Sequence, residues 1–255
     1  LIVFADYGDQ VSVAPADQLT LSIDGPFAAG LPNDIDNLVI QAAHLLAERA
    51  GIEAKAEITL TKNLPVASGI GGGSADAAAT LQALTQLWQI NLDREELRDL
   101  ACKLGADVPV CLAGKPSFVS GIGEIITPAP TLPETWLVLV NPGEPVATPE
   151  VFAMRDSDFT DTTPFDGTPA TAAELAAILS ERNNDLTAPA TLVAPVIAEV
   201  LSVLHATNGQ LLSRLSGSGA TCFALFSDET SAQEAAKSLQ SDHPSWWVQA
   251  AAVLV

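Results

Sequence analysis

Four glycines, Gly69, Gly71, Gly72 and Gly73, fall in the run Leu-Pro-Val-Ala-Ser-Gly-Ile-Gly-Gly-Gly-Ser-Ala-Asp-Ala-Ala at residues 64–78. The run sits between a strand pattern over residues 54–61 and a strong helix former over residues 74–88. Without a Cβ, glycine takes positive φ and lets backbone N–H groups come close to a ligand. The loop then feeds a helix N-terminus, where free N–H groups and the helix dipole favour an anion. The chemistry this predicts is a phosphate cradle; a merely flexible strand-to-helix connection is the competing reading. Neither of the two common nucleotide loops fits. A Walker A loop ends in Gly-Lys-Ser/Thr, and no lysine lies between Asn63 and Ala78; a Gly-x-Gly-x-x-Gly fingerprint begun at Gly69 would end on Ser74.

A second run, Leu-Gly-Ala-Asp-Val-Pro at residues 104–109, holds Asp107 on a short constrained loop between a helix-ending glycine and a proline-terminated turn. A carboxylate there could accept the proton of an attacking hydroxyl in phosphoryl transfer. It could equally be an Asx-turn residue bonded to its own backbone. A third run, Leu-Ser-Gly-Ser-Gly-Ala-Thr at residues 215–221, places Gly217 and Gly219 between two strands. That suits an N–H-rich turn cupping an anion, or an ordinary hairpin.

The elements that must position these runs read as follows. Residues 1–5, 10–14 and 18–23 are strands separated by turn formers such as Tyr7-Gly8-Asp9. Residues 37–50 form an amphipathic helix with Leu38, Ala42, Leu45 and Leu46 on one side. After the glycine loop and its helix comes a second helix, residues 93–104, capped by Asp93 with Glu96 three residues on and stopped by Gly105. Short strands and Gly/Pro turns occupy residues 108–130. A strand over 136–140 is followed by a break at Pro142-Gly143, Pro145 and Pro149, and residues 156–171 are a polar, acidic loop. Helices over 172–180 and 190–206, strands over 210–215 and 221–226, a helix over 229–239 and a strand over 246–254 complete the chain. The second half therefore runs β-α-β-β-α-β, with an extra helix in the first crossover, which is the ferredoxin-like order. The expected architecture is α+β, with two packed domains spanning residues 1–140 and 141–255.

Composition narrows the function. At 255 residues and 48% hydrophobic content the chain can bury a substantial core. Its 31 acidic against 11 basic residues leave a formal charge of −20. Such a surface repels nucleic acid and anionic membranes, so neither is expected as a partner. Adaptation to salt or solubility alone is the bland account of the charge. Cys102, Cys111 and Cys222 lie far apart with no Cys-x-x-Cys pair, as expected of reduced thiols in a cytoplasmic protein. His44, His205 and His243 lack metal-ligand spacing and read as packing or surface residues. No apolar run approaches the roughly 18 residues of a membrane span.

The pattern Pro-x-x-x-Gly-x-Gly-Gly-Gly-Ser-x-Asp-Ala-Ala resembles the ATP-phosphate loop of the GHMP kinase superfamily, and within it the branch acting on a cytidine-diphosphate-linked polyol. The resemblance covers essentially the whole chain. It implies a two-domain fold, with an N-terminal ribosomal-protein-S5-like domain and a C-terminal ferredoxin-like domain. It also implies a small-molecule kinase taking ATP and Mg²⁺. Gly-Ala-Asp-Val-Pro matches the motif carrying the catalytic base, which would be Asp107. ATP would be held by Pro65, Val66, Ala67, Ser68, Gly69, Ile70, Gly71, Gly72, Gly73 and Ser74. Asp-Asn-Leu-Val-Ile-Gln-Ala-Ala at residues 36–43 is similar to the segment whose Asn meets adenine, here Asn37; a helix N-cap is the bland reading. Gly217, Ser218 and Gly219 would lie beside the acceptor. In Thr-Pro-Glu-Val-Phe at residues 148–152, Thr148 and Phe152 would contact it, the ring stacking on cytosine; an N-cap, an N1 proline and a core Phe are the alternative. No metal ligand is assigned beyond Ser74, because Mg²⁺ would arrive on the ATP phosphates. The family usually has a second serine where this chain has Ala75. Its opening strand and substrate-binding Lys, Asn, Tyr and His lie upstream of Leu1. The N-terminal domain is therefore expected to lack its first strands and to leave residues 1–5 at an open sheet edge. A different acceptor, a diphosphate decarboxylase and a non-catalytic nucleotide-binding homologue remain as alternatives. A monomer or weak homodimer is expected.

Overall fold

The computed structural model describes residues 1–156, 158–161 and 164–255; Ser157, Thr162 and Thr163 of the expected acidic loop lie outside the described residues. The first half contains β1 (Phe4–Ala5), β2 (Gln10–Ala14), β3 (Thr20–Asp24), α1 (Leu38–Ala50), β4 (Glu57–Thr61), α2 (Gly72–Leu87), α3 (Arg94–Leu104), α4 (Val108–Ala113), β5 (Ser117–Ser120) and β6 (Ile125–Pro128). The second contains β7 (Trp136–Asn141), α5 (Thr148–Ala153), α6 (Ala172–Ser180), α7 (Thr187–Val193), α8 (Val196–Ala206), β8 (Leu212–Leu215), β9 (Cys222–Phe226), α9 (Glu229–Asp242) and β10 (Trp247–Leu254).

Local chemistry explains the helix ends nearest the site. The Asn37 side chain accepts from the Val39 N–H at the start of α1, and Gly51 closes that helix at φ +68°. Asp93 and Glu96 form a reciprocal capping box on α3. In the first half β4 is central, antiparallel to β2 and parallel to β3. Ile58 and Leu60 of β4 meet Leu46 of α1 and Leu81 and Leu84 of α2 in one buried cluster. This fixes the direction of α2 and aims its N-terminus at the loop that follows β4.

The four strands of the second half, with β1 of the first, form a five-stranded antiparallel sheet in the order β1-β10-β7-β9-β8. Its last four strands, in that order, have the ferredoxin-like arrangement read from the sequence. The core on one face gathers Val138, Val140, Ile197, Val200, Leu204 and Phe226. The fold is α+β.

Three readings need correction. Residues 1–5 are a strand only at Phe4–Ala5, and that strand pairs with β10, the chain's own last strand, while Ile2 bridges to Ser117. β1 is nonetheless the end strand of its sheet, and the difference from expectation is that the sheet it edges is that of the second half. Residues 108–113, read as strand and turn, are a helix; Pro109 occupies its first turn, where a missing N–H costs nothing, and Val108, Pro109 and Val110 are buried. The helix over 190–206 is two, α7 and α8, because Pro195 interrupts it, and the first crossover of the ferredoxin-like unit carries four helices among its described residues. β7, near the point where the two domains are expected to join, belongs to the five-stranded sheet.

Candidate active site

A cleft of about 660 Å³ opens where the glycine loop, α4, α5 and the β8–β9 turn converge. The loop enters it from β4 and turns into α2. Its N-cap is Gly71, at φ +72°, and no side chain caps the helix. The first N–H groups of α2 are thus left to whatever anion occupies the cleft. The glycines differ in what they face. A Cβ on Gly71 would meet nothing within 4 Å, whereas one on Gly69 would lie 2.6 Å from the carbonyl oxygen of Gly219 and 2.7 Å from that of Ser216. Gly69 is therefore where the glycine loop touches the β8–β9 turn backbone to backbone. Ser216 Oγ donates to the Gly69 carbonyl at 2.9 Å, and the Thr221 N–H donates to the Ser68 carbonyl at 3.0 Å.

Beneath the loop lies a buried ion group. Lys62, 4% exposed, donates from Nζ to Asp76 at 2.8 Å and to Asp9. Asp9 also accepts the N–H groups of Asn63 at 2.6 Å and Leu64 at 2.8 Å, tying the start of the glycine loop to β2. Two carboxylates share one ammonium, so the group is short of positive charge. Burial pushes the Asp76 carboxyl up to about 6; Lys62 pulls it back down and Asp9 adds to the rise. A carboxyl raised on folding stabilises the fold while protonated and loses that contribution as pH climbs from about 4 through about 6. Asp76→Asn should therefore gain stability relative to the parent between those pH values, by at most about 3 kcal/mol. Urea unfolding at pH 4 and pH 7 reads this; a gap between the two proteins that does not change with pH would contradict it.

Asp107 stands at the N-cap of α4, yet its side chain makes no capping bond. The Asx-type reading fails on this point, and the exposed carboxylate is left to the cleft. Cys111, one turn on, has its thiol pushed up to about 12, first by burial and then by the charges of Asp107 and Asp76. The sulfur therefore stays a neutral thiol.

On the opposite wall, Thr148 Oγ1 lies 2.8 Å from Ser218 Oγ, joining α5 to the β8–β9 turn. Asn184 donates to the carbonyls of Leu215 and Gly217 at 3.1 and 2.8 Å and so holds that turn in place. In α5 the core residue is Val151, fully buried, while Phe152 is 47% exposed and lines the cleft. The ring is free to meet a ligand.

The fold gathers most of the expected residues into this cleft: Asp107, Asn37, Pro65, Val66, Ala67, Ser68, Gly69, Gly71, Gly72, Gly73, Ser74, Thr148, Phe152, Gly217 and Ser218 line it. Ile70 and Gly219 are not among the lining residues; Gly219 faces Leu215 and Ile197 behind the turn. Ser68 is buried and donates to the Pro65 carbonyl at 2.6 Å, a role internal to the loop. Asn37 does cap α1, and its amide also donates to the Pro32 carbonyl at 2.8 Å. Sequence reasoning missed Asp76 and Asp9. A charged residue among the alanines of an apolar helix face was the available signal for Asp76, since such a carboxylate needs a partner.

Residues 37–115 match the model of the GHMP kinases N-terminal domain, and residues 168–245 that of the GHMP kinases C-terminal domain. A 4-diphosphocytidyl-2-C-methyl-D-erythritol kinase of Rhodospirillum rubrum is 53% identical over 250 residues, spanning 98% of this chain and 82% of the relative. The chain belongs to the 4-diphosphocytidyl-2-C-methyl-D-erythritol kinases of the GHMP family. A second such kinase, from Paramagnetospirillum magneticum, is 51% identical over all of this chain and 89% of its own length. Among solved structures, a 4-(cytidine 5'-diphospho)-2C-methyl-D-erythritol kinase matches with a TM-score of 0.73 at 32% identity, covering 96% of this chain and 85% of that one. A homoserine kinase from Cytophaga hutchinsonii matches with a TM-score of 0.76 at 20% identity, over 99% and 88%. That second likeness speaks for the fold alone. As a GHMP kinase the chain is a small-molecule kinase that uses ATP, and among its described residues no helix is long and apolar enough to cross a membrane.

Proposed function

We propose that this cleft transfers the γ-phosphoryl group of ATP to the 2-hydroxyl of 4-diphosphocytidyl-2-C-methyl-D-erythritol, a step of non-mevalonate isoprenoid precursor synthesis. One observation carries the reading: a single cleft holds an uncapped helix N-terminus behind a glycine loop and, beside it, a carboxylate that caps nothing. The loop backbone over residues 69–74 receives the phosphates, with Pro65, Val66, Ala67 and Ser68 shaping its approach and Asn37 at the adenosine end. Asp107 takes the proton of the acceptor hydroxyl as its oxygen attacks phosphorus. Thr148, Phe152, Gly217 and Ser218 hold the cytidine-bearing acceptor, with Gly219 setting the turn from behind.

Lys62 is the only cation among the described lining residues, and two carboxylates already engage it. Charge on the phosphates must therefore be met by backbone N–H groups and by Mg²⁺ bound to ATP. Ser74 would be the side chain to hold that ion, which would supply positive charge to the transferring phosphate. The reading places a monomer or weak homodimer in the cytoplasm, with no nucleic-acid or membrane partner.

The test is ATP-dependent phosphorylation by the full-length protein across candidate alcohols, read as product. Turnover of another alcohol in preference would replace the acceptor, and ATP binding without any turnover would leave a non-catalytic homologue. Phe152→Ala should raise KM for the cytidine-bearing acceptor about fivefold or more, the lower end of what stacking on a base contributes, with KM for ATP unchanged. Loss of folding in that variant, seen by circular dichroism, would return Phe152 to a packing role.

A further inference from the structure

Nothing in its own side-chain bonding fixes Asp107. Its carboxylate has no bond to α4, and it follows Gly105 and Ala106 in the short link between α3 and α4. The position of the carboxylate therefore depends on the backbone of residues 105–107, and something must hold that backbone. Hydrogen bonds hold its ends: the Gly105 N–H donates to the Ala101 carbonyl and the Val108 N–H to the Gly105 carbonyl, each at 3.3 Å, and the Cys111 N–H to the Asp107 carbonyl at 3.1 Å, while Ala106 between them meets a further support. The turn between β5 and β6 comes so near that a Cβ on Gly123 would lie 2.3 Å from the Ala106 carbonyl oxygen, 2.8 Å from its carbon and 2.9 Å from its Cβ. Gly123 is buried while Ile122 beside it is 86% exposed, so the contact is made by Gly123 and not by the tip as a whole.

The tip is itself braced. Glu124 folds back so that its carboxylate accepts the Ile122 N–H at 2.7 Å, and the Gly123 N–H donates to the Ser120 carbonyl at 3.3 Å. Gly123 sits at φ +114°, a conformation open to glycine and strained for other residues. The turn is thus a stiff stop whose face is bare backbone, pressed against the residue before Asp107.

We propose that Gly123 is a positioning residue for phosphoryl transfer: the β5–β6 turn, braced by Glu124, sets the placement of Asp107 through Ala106. The proposal rests on Asp107 being the base. Reaching ordinary contact from 2.3 Å would require the Ala106 carbonyl or the turn to move by about 1 Å, and a misplacement of that size costs on the order of 10²-fold in rate.

The test is steady-state kinetics of the full-length enzyme, with each variant made in the parent and in Asp107→Asn. Gly123→Ala should lower kcat about 10- to 100-fold with KM for ATP unchanged, because the ATP loop is not touched. Glu124→Ala should lower kcat by a smaller factor, and Glu124→Gln, which keeps an acceptor for the Ile122 N–H, should recover most of that loss. In the Asp107→Asn background none of these changes should reduce the residual rate further, since the group they position is gone. A parent-like kcat for Gly123→Ala, or an equal loss in both backgrounds, overturns the proposal while leaving Asp107 as the base. Parent-like kcat in Asp107→Asn itself overturns the base and this proposal together. Should Gly123→Ala fail to fold, the Glu124 pair decides: equal kcat for the Ala and Gln variants overturns it.

Discussion

Asp107→Asn is expected to fold normally, to bind ATP and the acceptor as the parent does, and to lose about 10²- to 10⁴-fold in kcat, the usual contribution of a positioned general base. The structure makes the fold-neutral part of this expectation specific. An N-cap aspartate that bonds its helix would cost about 1 kcal/mol when altered, but Asp107 makes no such bond, so its replacement should leave the melting temperature close to the parent's. Asparagine keeps the shape and removes the basic oxygen. Single-turnover rates with saturating ATP and acceptor separate the chemical step from binding. A variant that turns over at the parent rate would show Asp107 to be a turn residue only. A variant that loses both rate and stability would show that the carboxylate supports α4 after all.

Gly71→Val should weaken ATP binding at least about tenfold, which corresponds to about 1.4 kcal/mol. Two effects add at this position. Gly71 holds φ +72°, a conformation that disfavours a β-branched residue, and its Cβ would enter space that contains no protein atom within 4 Å. That space lies before the N-terminus of α2, where the phosphates are proposed to sit. Gly72→Val is expected to behave differently. Its Cβ would point at the Lys62 Nζ, 3.3 Å away, and at Asp9, 3.4 Å away, so the added bulk presses on the buried ion group and lowers stability as well as affinity. Isothermal titration with ATP, paired with urea unfolding of each variant, distinguishes the two. Parent-like affinity in a folded Gly71→Val protein would remove the phosphates from this loop.

Residues that act through their immediate neighbours were legible in the sequence. The glycine loop between strand and helix, the capping box on α3, and the succession of strands and helices along the second half all follow from local rules: positive φ at glycine, side chains bonding the first turn, and the periodicity of apolar residues. Asp107 was picked out by its motif. Its role, however, hung on a bond to its own backbone that only the folded chain shows to be missing.

What the tertiary structure decided has one physical cause: periodicity marks which face of an element is apolar, but not what will meet it. Val151 and Phe152 are adjacent apolar residues, and only the packing of α5 shows that the first enters the core and the second enters the cleft. Pro109 signals a turn and a helix start equally well, and the burial of Val108 and Val110 selects the helix. The strand at Phe4–Ala5 finds its partner at Val253 and Leu254, at the other end of the chain, and Gly69 meets Gly219 with no local signal linking them. Asp9, Lys62 and Asp76 are unremarkable apart. Brought together out of water they must satisfy one another, and the result is a group short of positive charge beneath a helix N-terminus that no side chain caps.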